Sequence, residues 1–399
     1  MFSRPIARLI VTALVCYSVS ASAEAIDLHA AIERAHRAAP GAVAARGRVA
    51  EARAGVVGAA VPFTENPVVE GGAGPRLSPG NPLDAEIRIE QDLEPWRRDP
   101  RRRHAAAEVE RVAAEADAQL RELDREVALA FYDALFAERA LVLAEHAVAL
   151  AQRGASVADR RRRAGEITDL DANLAKAALG RARAAAEAAT AIHDGALGEL
   201  AVLIGAGPDE PIMLRGDLKA TQPPIASLAT RADVRALDRE AEVAITEAAQ
   251  ARAAARPAVG VWLGYQREDT ESIVLAGLRF SLPIWNRAHG ERAAATAKEH
   301  RARDTRAAIV HAASRQVADA SAAFAAASRA VATFEREVLP VLDDSEQLLD
   351  KTFDAGQVAV NDYLFARQEL LAGRREYLER LLAAAKAAVE ARYALGVAP

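Results

Sequence analysis

Apolar residues follow two rhythms along this chain. In Glu86-Ile87-Arg88-Ile89-Glu90 every second position is charged and those between are β-branched, and Val259, Val261, Leu263 and Tyr265 form another row of the same step. A period of two predicts strands with one apolar and one polar face. Elsewhere the step lengthens: Leu120, Leu123, Val127, Ala130 and Ala134 recur at three- and four-residue intervals, and Leu364, Leu371, Leu378 and Ala385 every seven. Those spacings predict a helix-packing stripe and a coiled-coil seam.

The rhythms occur twice in the same order. Pro67, Trp96, Gly165 and Gly205 are answered by Pro257, Trp285, Gly356 and Gly396, at offsets of 190, 189, 191 and 191 residues. A nearly constant offset marks a tandem duplication. The first repeat, 24–205, is expected to hold helices (one at Pro40–Ala60), a β-hairpin at about 67–93, a long helix at about 100–164 and a shorter one at about 168–204. An irregular connection, 206–227, leads to the second repeat, 228–399. Its expected elements are a helix, a hairpin at about 257–283, a long helix at about 286–355 and a shorter one at about 361–396. A helix of about 65 residues spans ~100 Å. Pro340 should interrupt or kink the second long helix.

Each alternating segment is about ten residues, long enough to cross a bilayer as a tilted strand. Surface hairpins on a soluble protein are the plainer alternative. An open sheet edge cannot sit in lipid, because its backbone groups lack partners there. Four strands close no membrane barrel, the smallest common one having eight. Strands that span a membrane therefore require several chains, two supplying eight strands or three supplying twelve. The fold class is mainly α with a small β part.

Composition and the N-terminus set the compartment. Arg4 and Arg8, the apolar stretch Leu9 to Val15 and the small-residue run Ala21-Ser22-Ala23 predict a signal peptide over 1–23. Cys16, the single cysteine, lies within it, and Val15 before it does not suit lipidation. Without that segment the formal charge moves from −5 to −7, which gives no reason to expect nucleic-acid binding. Charged residues make up 27% of the chain and aromatics 5%, which suits long helices better than several compact cores. No phosphate loop, zinc signature or nucleophile motif supports an enzyme or a cofactor. His29, Glu33 and His36 share a helical face, but on an opening amphipathic helix they read as ordinary surface and not as metal ligands.

The duplicated order of hairpin, long helix and glycine break, with Gly165-Glu-Ile-Thr-Asp-Leu-Asp171 and Gly356-Gln-Val-Ala-Val-Asn-Asp362, resembles the TolC-like outer membrane efflux family over nearly the whole mature chain. The strand exits Pro95-Trp96 and Leu282-Pro283-Ile284-Trp285 look most like the branch serving heavy-metal RND pumps. The resemblance implies a homotrimer in the outer membrane, with a twelve-stranded β-barrel continued by a periplasmic α-barrel. It also implies an adaptor (membrane fusion) protein and an inner-membrane RND pump as partners. A TolC-like channel for drugs or other small molecules is the alternative, followed by a soluble periplasmic coiled-coil or adaptor protein.

The same resemblance points to candidate residues. Asp362 and Asp171 follow the tip glycines and would line or close the tunnel entrance; three Asp362 copies would make an acidic ring. The plainer role for Asp171 is a carboxylate at a helix N-terminus. The tyrosine and arginine of the family's lock are replaced by Phe353 and Val358, so Phe353 is expected to offer an apolar constriction instead. Gly165 and Gly356 would turn the chain at the tip, and Arg160 to Arg163 would meet the adaptor or form a solvated face. Trp96, Trp262, Tyr265 and Trp285 are expected in aromatic belts, with Arg101 at lipid headgroups.

Overall fold

The computed structural model describes residues 25–75, 83–208, 210–224, 231–268 and 271–398. The expected signal peptide with Cys16, most of the first hairpin's loop and the start of the second repeat lie outside the described residues.

Helix formation follows the three-to-four spacing. In the first half α1 (Leu28–Ala38) and α2 (Pro40–Ala60) precede the hairpin β2 (Val68–Pro75) and β3 (Leu83–Leu93), after a short strand β1 (Ala25–Ile26). Then come α3 (Arg98–Arg163) and α4 (Asp169–Ile204). At 66 residues α3 is about 100 Å long. A short β4 (Met213–Leu214) and α5 (Ala232–Ala254) lead to β5 (Ala258–Glu268), β6 (Glu271–Ser281), α6 (His289–Glu337), α7 (Leu339–Asp354) and α8 (Val360–Ala394). The second long helix is thus divided at Val338, and Pro340 sits in the first turn of α7, where a missing N–H leaves no hydrogen bond unmade.

Helices and strands lie in one matching order. The four-stranded sheet runs β2-β3-β5-β6, antiparallel throughout. Below it α3 is flanked by α2 and α4 on one side and by α5 and α8 on the other, with α6 and α7 beyond those. The molecule is a wall one helix thick carrying a narrow sheet. Its edges are β2 with α2 and α4, and β6 with α6 and α7.

The thickest packing lies halfway along the wall. There α1 lays Ala31 and Ala35 on Val127, Phe131, Ala134 and Leu135 of α3, with Leu200 and Ile204 of α4 completing the core. The connection after α4 is held to the same place. β4 pairs in parallel with β1, Leu218 is buried in this core, and Glu210 takes both Arg34 nitrogens at 2.5 Å.

Four helix ends close in the same way. Gly165, Gly205, Gly356 and Gly396 have φ of 75°, 65°, 75° and 73°. At each, the next residue's N–H donates to a carbonyl five residues back, for example Glu166 to Arg161 and Gln357 to Thr352, both at 2.9 Å. This is the glycine-terminated Schellman closure. The surroundings differ: a Cβ on Gly205 would stand 2.7 Å from Ala38 Cβ, whereas Gly165 has open space. Gly205→Ala should therefore combine left-handed strain of about 1–2 kcal/mol with overpacking of about 1–3 kcal/mol, and Gly165→Ala only the strain. Thermal melting of the purified protein should show the larger drop for Gly205→Ala; equal drops would refute the steric contribution.

Candidate functional site

Two regions carry unusual chemistry, the sheet at one end of the wall and the free tip at the other. In the sheet, register places side chains on two opposed faces. Ile87 and Ile89 pair with Tyr265 and Leu263, and Val261, Val259 and Tyr265 pair with Leu278, Phe280 and Val274. Val69 opposes Ile89. This face is apolar and exposed, with Val69, Ile87, Leu263, Val274, Leu278 and Phe280 all open to the outside. The other face holds Glu70, Glu86, Arg88, Glu90, Asp92 and Arg279, with Arg279 bridging Glu90 and Asp92 at 2.5 Å. Strands of 11 residues cover about 36 Å along their length, enough for an apolar band about 25 Å tall when tilted.

The expected aromatic and basic belt is corrected at two positions. Trp262 belongs to the charged face, not the apolar one: it opposes Gly277, and the Arg88 guanidinium stands 4.7 Å from its ring centre. Its even number puts it out of phase with the row at 259, 261, 263 and 265, so the pleat turns it away. Arg101 is not free for headgroups. It pairs with Glu94 and donates to the carbonyls of Ala59 and Val61 at 3.3 and 2.7 Å. With Arg98 on Ala60 and Arg97 on Ala254, the start of α3 satisfies the carbonyl ends of both flanking helices. Tyr265 is on the apolar face near the hairpin loop, its hydroxyl 3.1 Å from Ser272 Oγ. Trp285 is 92% exposed just past β6, and Trp96 is half-buried in the turn after β3.

At the tip the two halves share a backbone and differ in side chains. Thr168 caps α4: its hydroxyl accepts from Asp171 N–H, while the Asp171 carboxylate accepts from Thr168 N–H, both at 3.2 Å. Asn361 from the other half also donates to Asp171 at 2.6 Å. These bonds, first from the Thr168 hydroxyl, then its N–H, then Asn361, hold the Asp171 carboxyl below the usual carboxylate range. Asp171 is thus the helix-start carboxylate of the plainer expectation. Asp362 occupies the matching place on α8, but Ala359 stands where Thr168 does, and no side-chain cap forms. Asp362 is exposed and, among the described residues, makes no hydrogen bond or ion pair.

Phe353 is corrected as well. It is 3% exposed and stacks on Tyr363 with ring centres 3.8 Å apart, inside a cluster with Ala158, Ala175 and Val360. Burial within its own chain removes it as an apolar constriction. Above it Arg367, itself buried, pairs with Asp350 and donates to the Tyr363 hydroxyl at 3.3 Å. Burial opposes the Arg367 charge, but Asp350 and Tyr363 outweigh it and raise its pKa. Sequence reasoning missed this α7–α8 clamp, although Val360, Tyr363, Leu364 and Arg367 share a helical face. Gly154 lets Leu364 approach α3, since a Cβ there would stand 2.8 Å from Leu364 Cδ2. Of the basic run, Arg161 lies over the Phe353 ring, Arg162 and Arg163 pair with Asp159, and Arg160 is exposed.

His29 pairs with Glu33 at 3.4 Å, while His36 turns to the buried Asp124, so the three do not converge. Among the described residues no group of three His, Cys, Asp or Glu side chains is placed to hold a metal, and no helix is long and apolar enough to cross a membrane.

The Asp171 lock makes a sharp prediction. A lowered folded-state pKa stabilises above the usual carboxylate pKa of about 4 and is lost as pH falls through the lowered value. Hydrogen-exchange protection at 171–173 should hold from pH 7 to 5 and fall only below about 4. Thr168→Ala should cut it roughly fivefold at pH 7 and leave the start of α8 unchanged; equal loss at both helices would sink the assignment.

No protein-family model matches the chain, and no curated protein matches it in sequence. Solved structures do. A membrane protein from Pseudomonas aeruginosa is 21% identical, covering 99% of each chain at a TM-score of 0.76. The Campylobacter jejuni CmeC outer membrane channel is 15% identical over 92% of this chain and 85% of its own, at 0.75. CusC, which forms a transmembrane channel, is 19% identical over 93% and 92%, at 0.73. The chain therefore has the long-helix and four-strand fold of the TolC-like outer membrane efflux channels.

Proposed function

We propose that this protein is the outer-membrane exit duct of a tripartite efflux system. One observation carries the reading: a sheet with an apolar exposed face and a charged opposite face, open at both edges among the described residues, sits on a helical wall open at the same two edges. In lipid those edges must be paired, and a head-to-tail ring of identical chains pairs each β6 edge with the next β2 edge. Three copies give twelve strands, apolar side to lipid and charged side to water, above a tunnel of helices in the periplasm. The likeness to channel structures supports this arrangement, as does the order of the repeated landmarks.

The partners proposed are a periplasmic adaptor, meeting the tip around Gly165, Gly356, Arg160 and Arg163, and an inner-membrane RND pump. Exposed Asp362 is the proposed entrance group, three copies forming an acidic ring that attracts cations. Asp171, tied to Thr168 and Asn361, shapes the tip instead of facing the pore. Tyr265, Trp285 and Trp96 are the proposed interface aromatics. Metal cations are the proposed cargo, supported by the acidic entrance and by the branch that the strand exits resemble.

Light scattering on detergent-extracted protein, with detergent subtracted, should give three times the mature chain mass in the outer-membrane fraction. A water-soluble monomer or dimer would overturn the duct. In planar bilayers Asp362→Asn should leave conductance measurable and reduce preference for cations over anions severalfold. An unchanged reversal potential in a salt gradient would remove Asp362 from the entrance. Deleting the gene should lower tolerance to zinc, cobalt, cadmium, copper or silver; lowered tolerance to drugs alone would assign the duct to the small-molecule alternative.

A further inference from the structure

The expected headgroup contact, Arg101, is consumed in capping α2, yet free cations remain at the same level on the other half. Between the end of α5 and the start of α6 lies a groove of about 650 Å³ lined by Ala248, Arg252, His289, Arg292, Thr296 and His300. Arg252, Arg292 and both histidines are exposed, and none of the four makes an ion pair or side-chain hydrogen bond among the described residues. Of the nearby carboxylates, Glu247 is paired with Lys298 at 2.7 Å and Glu299 with Arg303 at 2.5 Å, while Glu291, in the first turn of α6, does not line the groove. Four cationic or hydrogen-bonding groups from two helices thus line the groove, with no carboxylate among its lining residues. The first residue of α6 is His289, so the helix N-terminus adds its own positive end.

A second observation identifies what kind of anion fits. The exposed apolar row of β6 continues past the strand: Val274, Leu278 and Phe280 are followed by Leu282, Ile284 and Trp285, each more than half exposed. This row ends four residues before His289. Chain directions place Arg252 six residues before β5 and His289 eight residues after β6, where the interfacial layer of the bilayer, about 5–7 Å thick on each side, would lie. An apolar track that ends four residues before a cationic groove matches one molecule, with acyl chains along the track and a phosphate between the arginines.

We propose that this groove binds the phosphate headgroup of an anionic phospholipid in the periplasmic leaflet, one per chain. The proposal rests on the outer-membrane reading above. Arg252 and Arg292 supply the charge, His289 and His300 add donors, and Trp285 lies against the lipid at the interface.

The test is native mass spectrometry of the full-length mature protein, purified in mild detergent and supplied with phosphatidylglycerol. Its oligomeric mass is read in the same spectrum. The unaltered protein should retain one phosphatidylglycerol per chain, and Arg252→Gln/Arg292→Gln should lower retention at least tenfold at unchanged oligomeric mass. Arg252→Lys/Arg292→Lys and the distant Arg329→Gln should retain lipid. Equal retention in the glutamine variant, or displacement of the lipid by millimolar inorganic phosphate, would overturn the proposal. Loss of the oligomer in the unaltered protein would instead overturn the duct reading, so the two failures are distinguishable.

Discussion

Backbone hydrogen bonding at the sheet edges governs the architecture. The outer sides of β2 and β6 have no strand beside them among the described residues, and each unpaired amide or carbonyl in hydrocarbon costs several kcal/mol. The helical wall repeats the problem in apolar form. On α2, α4 and α6 most residues are exposed, whereas α3, in the centre, buries Val127, Phe131, Leu135 and many alanines. On the proposed reading a single chain is a strip cut from a larger surface, and alanine along its cut edges lets another helix approach closely. The same strip order in sheet and helices means that one closure satisfies both layers.

Duplication supplies the scaffold, and divergence between the copies supplies the chemistry. Four left-handed glycines end four helices in matching pairs, because only a residue without Cβ enters that conformation at little cost. At the tip the consequence of Thr168 facing Ala359 is large. Where the hydroxyl is present, Asp171 is bound on both oxygens; where it is absent, Asp362 stays open to solvent. One carboxylate became structure and its twin remained available. The clamp of Arg367, Tyr363 and Asp350 then holds α7 against α8, where the helix break at Val338 has interrupted continuous backbone support.

Arginine has three uses within about 70 residues. Arg97, Arg98 and Arg101 close the carbonyl ends of α2 and α5; Arg88 covers the Trp262 ring on the charged face; Arg161 covers Phe353 at the tip. Its planar, always charged fork suits each task, since it donates to several acceptors and stacks on rings. A count of basic residues therefore says little about which of them face lipid or a partner. Those that do are found by asking which remain unpaired after the helix ends have been satisfied.

The sequence alone determined everything that depends on local spacing. Period two marked four strands, three-to-four spacing marked the long helices, and constant offsets exposed the duplication. Gly165 and Gly356 marked the reversals, and Pro340 the break between α6 and α7. Even the facing of Trp262 was legible, since its parity opposes Leu263 and Tyr265, but its nearness to the other aromatics suggested a belt. Tertiary structure alone decided the fates of Arg101 and Phe353 and gave Asp171 its second partner. Arg101 meets carbonyls about 40 residues earlier, Asp171 meets Asn361 from 190 residues away, and Phe353 is buried by three other helix segments. Spacing along a chain records which side of its own element a residue faces. What lies opposite is set by long-range packing, whose partners carry no local signature.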